Sequence, residues 1–185
     1  MSGLRDHVED PVKFGFWVFT FAIAVQLFHQ IEHLAQIYQK HVLHLDAFPG
    51  LLGRTFDFEA VHFFYNAALF LSVFAVYLVY FKNPGIWRRS GVGHLSLAFA
   101  VIFQGYHLFE HSVRAIQYLQ ALAGGTKINP PGVVGMVVPV IELHFWINSA
   151  VIGALVVAYF AFQPRLAAPY DDPHSVAARF ETAAA

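Results

Sequence analysis

The chain contains no cysteine. Disulfides, thiolate metal sites, iron–sulfur clusters and cysteine nucleophiles are therefore excluded, and any metal must be held through nitrogen and oxygen. Charge is also scarce. Asp, Glu, Lys and Arg make up 12% of the 185 residues, about half the ~25% of a soluble domain. The net charge of -1 with histidine neutral gives no electrostatic basis for binding nucleic acid. The opening MSGLRDHVEDPVK is polar and acidic and lacks the basic start of a cleavable signal peptide. The first apolar segment is therefore expected to remain in the membrane. What is abundant is apolar surface: 57% hydrophobic residues, mean hydropathy +0.53, and 20 Phe, 8 Tyr and 3 Trp. This composition predicts one compact integral membrane domain with the lipid bilayer as its main partner.

Four apolar segments, near 14–40, 57–82, 93–122 and 135–162, meet the length of about 20 residues that a helix needs to cross a bilayer. The predicted fold is all-α: a polytopic four-helix transmembrane bundle built from two parallel two-helix repeats, about 14–82 and 93–162. It is flanked by a cytoplasmic N-terminal segment, 1–13, and a cytoplasmic tail, 163–185. Asp10-Pro11 suits a helix start, and Asn83-Pro84-Gly85 a helix stop, with Gly91 to Gly93 preceding the third helix. Pro139 either kinks the fourth helix or sits in its first turn. Arg5, Lys13, Lys82, Arg88, Arg89, Arg165 and Arg179 lie on one side of such a protein, and Lys40, Arg54, Arg114 and Lys127 on the other. Lys/Arg excess marks the cytoplasmic face, so both termini are expected inside.

One motif occurs twice. Gln26-x-x-His29-x-x-Glu32-His33 recurs 78 residues later as Gln104-x-x-His107-x-x-Glu110-His111. Each copy is followed by a second matched string, His62-Phe63-Phe64-Tyr65-Asn66 and His144-Phe145-Trp146-Ile147-Asn148. Two helices per repeat is an even number, so both halves point the same way. All the repeated polar residues then converge at one depth, in the outer half of the bilayer. Ionisable groups there are expensive and mark function.

The spacing suits a metal. On a helix, His29 and His33 are about 40° apart and Glu32 about 60° to the other side of His29, within one buried stripe. An i,i+4 histidine pair can share an ion, as in helical zinc sites. The candidate ligands are His29, Glu32, His33, His62, His107, Glu110, His111 and His144. Six histidines and two glutamates exceed the needs of one ion, so a dinuclear centre bridged by Glu32 and Glu110 is expected. Gln26, Gln104, Asn66, Asn148 and Glu59 are expected behind the ligands, Asn as a weak ligand or a partner that fixes an imidazole. Glu142, two residues before His144, does not share its face as Glu59 shares that of His62.

The arrangement resembles the ferritin-like dimetal bundles in outline, but lacks their four carboxylates and Glu-x-x-His order. The string His-x-x-Glu-His also matches the inverzincin signature, although a hydrolase needs one such helix and not two. His7, His41, His44, His94 and His174, near helix ends or in tails, read as solvated or hydrogen-bonded to a neighbour. Arg114 reads as a snorkelling interfacial residue. Tyr65, Tyr106 and Trp146 adjoin the site in sequence.

The leading functional expectation is a non-haem oxidoreductase or oxygenase acting on a lipophilic substrate or quinol. Its cofactor would be two transition-metal ions, iron first, copper second and zinc third. One alternative is copper or zinc delivery or storage, or an accessory subunit of a membrane complex, with another membrane subunit or redox partner bound. The other is a b-type cytochrome.

Overall fold

The structure, a computed structural model, describes residues 11–52, 59–83, 90–126 and 128–166. The N-terminal segment up to residue 10, the tail from 167, and Arg5, Arg54, Arg88, Arg89, Lys127 and Arg179, used above for the expected orientation, lie outside those residues. Among the described residues there are four long helices, a one-turn 3₁₀ helix (Val134–Met136) and no strand. The long helices are α1 (Pro11–His41), α2 (Glu59–Phe81), α3 (Gly91–Ala123) and α4 (Val140–Leu166).

Each contains an apolar span of 23 to 33 residues. At 1.5 Å per residue even the shortest covers the ~30 Å of hydrocarbon in a bilayer. Large apolar side chains such as Trp17, Phe21, Phe64, Leu95 and Trp146 point outward, each more than half exposed. That is costly in water and normal against lipid. Local signals explain the ends. Pro11 occupies the first turn of α1, where its missing N–H is not needed. Ser90 caps α3 by accepting from Gly93 N–H at 3.1 Å, worth about 1 kcal/mol. Gly91 and Gly93 are therefore inside the helix and not ahead of it. Pro139 directly precedes α4 and its carbonyl accepts from Leu143 N–H at 3.0 Å, so it starts that helix without kinking it.

Packing closes a ring in which each helix meets its chain neighbours and α4 returns to α1. The contacts run antiparallel. Phe16 stacks on Tyr159 while Lys40 meets Glu142, so α1 ascends as α4 descends. Tyr80 meets Phe19 while His62 meets His29, which opposes α2 to α1. His94 meets Phe162 while His111 meets His144, which opposes α3 to α4. The bundle is layered along its axis. At the end holding the start of α1, Phe19, Val73, Val76, Tyr80, Leu97 and Phe162 form an apolar core. In lipid the hydrophobic effect does not drive helix association, and such close ring packing and interhelical hydrogen bonds do. The repeated polar residues fill the other half of the bundle.

Candidate metal centre

The lowest polar layer is made of carboxamides. Gln26 Nε2 on α1 donates to Asn148 Oδ1 on α4 at 2.7 Å. Gln104 Nε2 on α3 donates to Asn66 Oδ1 on α2 at 2.9 Å. Each asparagine gives its own amide to the carbonyl one turn back, that of His62 or His144, at 2.9 Å. The asparagines were expected as weak ligands or as partners that fix an imidazole; their amides and oxygens are engaged by the His62 and His144 carbonyls and by the glutamines.

One turn up from Gln26 and Gln104 come the histidines. His29 and His33 turn their Nε2 atoms toward each other at 3.1 Å, and so do His107 and His111. Two nitrogens on one ion at roughly 2.0–2.1 Å with near-tetrahedral angles lie about 3.3 Å apart, so both pairs have the spacing of shared ligands. His111 Nδ1 lies 2.7 Å from Glu59 Oε1 and His33 Nδ1 lies 2.9 Å from Gln36 Oε1. An oxygen acceptor there keeps the ring proton on Nδ1 and leaves the Nε2 lone pair for a metal.

α2 and α4 add His62 and His144. Ring centroids are 5.9 Å apart for His29–His62, 5.2 Å for His107–His144, 5.9 Å for His33–His144 and 5.6 Å for His62–His111. Every one of these contacts has its counterpart when residues are exchanged by the sequence repeat. The six histidines thus form one connected group. Within it His107, His111 and His144 offer nitrogens that all lie within 4.8 Å of one another. These three rings are 0%, 1% and 4% exposed. His107 Nδ1 and His144 Nε2 are fully shielded and have no hydrogen-bond partner. Buried polar atoms nearly always have one; an ion bound by His107 and His111 through Nε2 would take up the His144 Nε2 lone pair and leave His107 Nδ1 as it is. The residues fit a metal ion on these grounds.

The two glutamates, expected to bridge the ions, accept loop backbone N–H groups. Glu32 accepts the backbone N–H groups of Leu51 and Leu52, at 2.8 and 3.2 Å. Glu110 accepts those of Val133 and Val134, at 2.9 and 3.1 Å. Two helical turns further, Gln39 makes a two-way pair with the backbone of Gly50, and Gln117 the same with Gly132. Gly50 and Gly132 have φ of 72° and 80°, a conformation that suits glycine. A buried carboxylate satisfied by several N–H groups needs no cation. Sequence reasoning missed this layer, although Gln39 and Gln117 keep the 78-residue register and Pro49-Gly50 is matched by Pro131-Gly132.

The halves differ in one respect. Glu59, 7% exposed, joins His111 to Arg114, whose Nε and Nη2 reach the second carboxylate oxygen at 2.9 and 2.8 Å. Arg114 also donates to Asn129 at 3.1 Å. It is a buried partner of the site and not an interfacial residue. In the 78-residue register Arg114 corresponds to Gln36, which Glu59 could not neutralise and need not. Glu142, off the site as its position implied, pairs with Lys40 and His41 at 2.6 and 2.7 Å. His94 is also buried rather than solvated, packed against Phe162 at 5.0 Å. Tyr65 lies 4.5 Å from His29 and Trp146 faces outward.

The fold and the site together define a helical protein with four helices long and apolar enough to cross a membrane and a buried histidine group able to hold a metal ion. No protein-family model, curated protein or solved structure matches the chain.

Proposed function

We propose that this is an integral membrane metalloprotein whose six repeated histidines hold a dinuclear non-haem centre for redox chemistry. The carrying observation is the buried trio His107, His111 and His144, with nitrogens within 4.8 Å of one another. Its counterpart by the repeat is His29, His33 and His62. In this reading the halves 14–82 and 93–162 are parallel repeats about an axis along the membrane normal. The exchanged pairs Gln26–Asn148 and Gln104–Asn66 support it. The excess of Lys and Arg on one side supports cytoplasmic termini, with the centre toward the outer side.

With Glu32 and Glu110 accepting loop N–H groups, the imidazoles form the main part of the donor set, which suits copper and iron alike. A pair of such ions, when bound, supplies electron transfer between oxygen and a lipophilic substrate or quinol. The chain's own part is definite. Glu59 and Gln36 orient His111 and His33, and the carboxamide layer below separates the site from the apolar core. The Glu32 and Glu110 turns cover it from the loop side. A soluble or membrane redox partner would dock on that loop face. A b-type cytochrome accounts for less of the site: a bis-histidine haem uses two imidazoles and leaves the other four repeated histidines without a role.

The test is elemental analysis of detergent-purified protein with an optical spectrum on the same sample. Two copper or iron atoms per chain without a Soret band is the expected result. Zinc alone would move the function to delivery, storage or structure. No metal after expression in metal-supplemented medium would overturn the reading.

A further inference from the structure

The two histidine trios match in sequence but differ in geometry and enclosure. Among the described residues only His107, His111 and His144 bring three nitrogens within 4.8 Å of one another. The 4.7 Å His111–His144 ring contact has no counterpart between His33 and His62, so the second trio must close up to hold an ion. His144 is 4% exposed, whereas its counterpart His62 is half-buried. His62 and His29 form the inner wall of a pocket of about 110 Å³ between α1 and α2, with the Glu32 carboxylate beside them. The remaining wall is Phe28, Val61, Leu52 and Tyr65. Phe28 is 54% exposed and lies within the apolar span Lys13–His41, so the rim of the pocket faces lipid. Leu52 is held in place through the Glu32 carboxylate, which accepts its backbone N–H. The other trio is backed by the Glu59–Arg114–Asn129 network, which carries a full carboxylate to His111 Nδ1. At His33 the equivalent acceptor is the neutral amide of Gln36. A carboxylate behind a histidine raises its basicity and its hold on a metal, typically by ten- to a hundredfold in affinity.

Resting on the metal reading above, we infer that the halves divide the work. His107, His111 and His144 retain one ion, and His29, His33 and His62 hold a second, exchangeable ion that takes a small neutral ligand arriving from the lipid through the Phe28/Val61/Leu52 pocket. The volume sets the ligand class. A cavity of roughly 150 Å³ takes a benzene ring, so about 110 Å³ admits a diatomic such as dioxygen and is too small to enclose a quinone ring. The oxidant therefore enters here and the lipophilic reductant gives up its electrons elsewhere on the surface. Apolar gases partition into the bilayer, and a lipid-facing mouth draws on that reservoir.

The experiment uses full-length detergent-purified protein loaded with cobalt(II), whose visible spectrum reports its ligands. Nitric oxide serves as the neutral diatomic probe under anaerobic conditions. Two cobalt ions per chain are expected, one removed quickly by chelator and one retained. Nitric oxide should perturb only the removable one. Val61→Trp, or Leu52→Trp from the opposite wall, should keep both ions and slow the response to nitric oxide by about tenfold or more. His144→Ala should lose the retained ion. Two ions that exchange at the same rate, or a nitric oxide response that neither tryptophan alters in a protein with native helix content, would overturn the division while leaving the metal centre intact. Absence of bound cobalt would overturn the metal reading itself.

Discussion

Replacing Glu59 by glutamine removes one charge and almost no volume, and its consequences can be worked out from three contacts. The wild-type carboxylate accepts from His111 Nδ1 at 2.7 Å and from Arg114 Nε and Nη2 at 2.9 and 2.8 Å. Arg114 is 6% exposed and its Nη1 has no other partner. Glutamine keeps one accepting oxygen, enough for Arg114 or for His111 but not for both ends, and it cannot neutralise the guanidinium. Breaking a buried ion pair from one side costs about 3–5 kcal/mol, because the remaining charge is left in a low-dielectric interior. The metal affinity of the trio should fall by roughly ten- to a hundredfold as His111 loses its anionic acceptor. The repeat supplies a rescue. Gln36, in the register of Arg114, holds His33 with no charge at all. Changing Glu59→Gln and Arg114→Gln together should therefore recover about half or more of the stability lost in the single variant, since neither charge remains. Stability would be read by loss of helical circular dichroism in detergent, and affinity by chelator competition. A Glu59→Gln protein within about 0.5 kcal/mol of wild type, with unchanged metal affinity, would refute the argument.

Three further outcomes follow from the same geometry. Glu32→Ala or Glu110→Ala should leave the metal content unchanged and raise hydrogen exchange at residues 51–52 or 133–135, whose N–H groups lose their acceptor; loss of an ion would instead restore the bridging role. Gly132→Ala places a methyl group against the Glu110 carboxylate at a φ of 80°. It should destabilise by about 1–2 kcal/mol, measured as a lower denaturation midpoint, whereas Gly91→Ala, in open space, should not. His94→Ala should keep the full metal complement, because His94 sits at the opposite end of α3 against Phe162, and metal analysis against His107→Ala would show the contrast.

Helical features were readable from local chemistry. Apolar runs of the right length, Pro11 at a start and the i,i+4 histidine spacing depend only on neighbours along the chain. The four helices and the convergence of His29, His33, His62, His107, His111 and His144 were visible for that reason. The duplication added long-range information that a single sequence rarely holds. Equivalent residues of the two copies, such as Gln26 and Gln104 with their asparagine partners, take up equivalent contacts in the bundle.

The fate of the glutamates was decided by tertiary structure. Glu32 and Glu110 share the helical stripe of the histidines, so the sequence pattern groups them as ligands. Their acceptance of N–H groups at Leu51 and Leu52, or Val133 and Val134, depends on where a loop returns, and a backbone donor carries no side-chain signature to read. Arg114 and Glu59 are 55 residues apart, and only helix packing shows that one neutralises the other and anchors His111. Helix periodicity and repetition determined which side chains could meet. Competition among nearby donors and acceptors, settled only when all four helices and both turns are in place, decided what each of them holds.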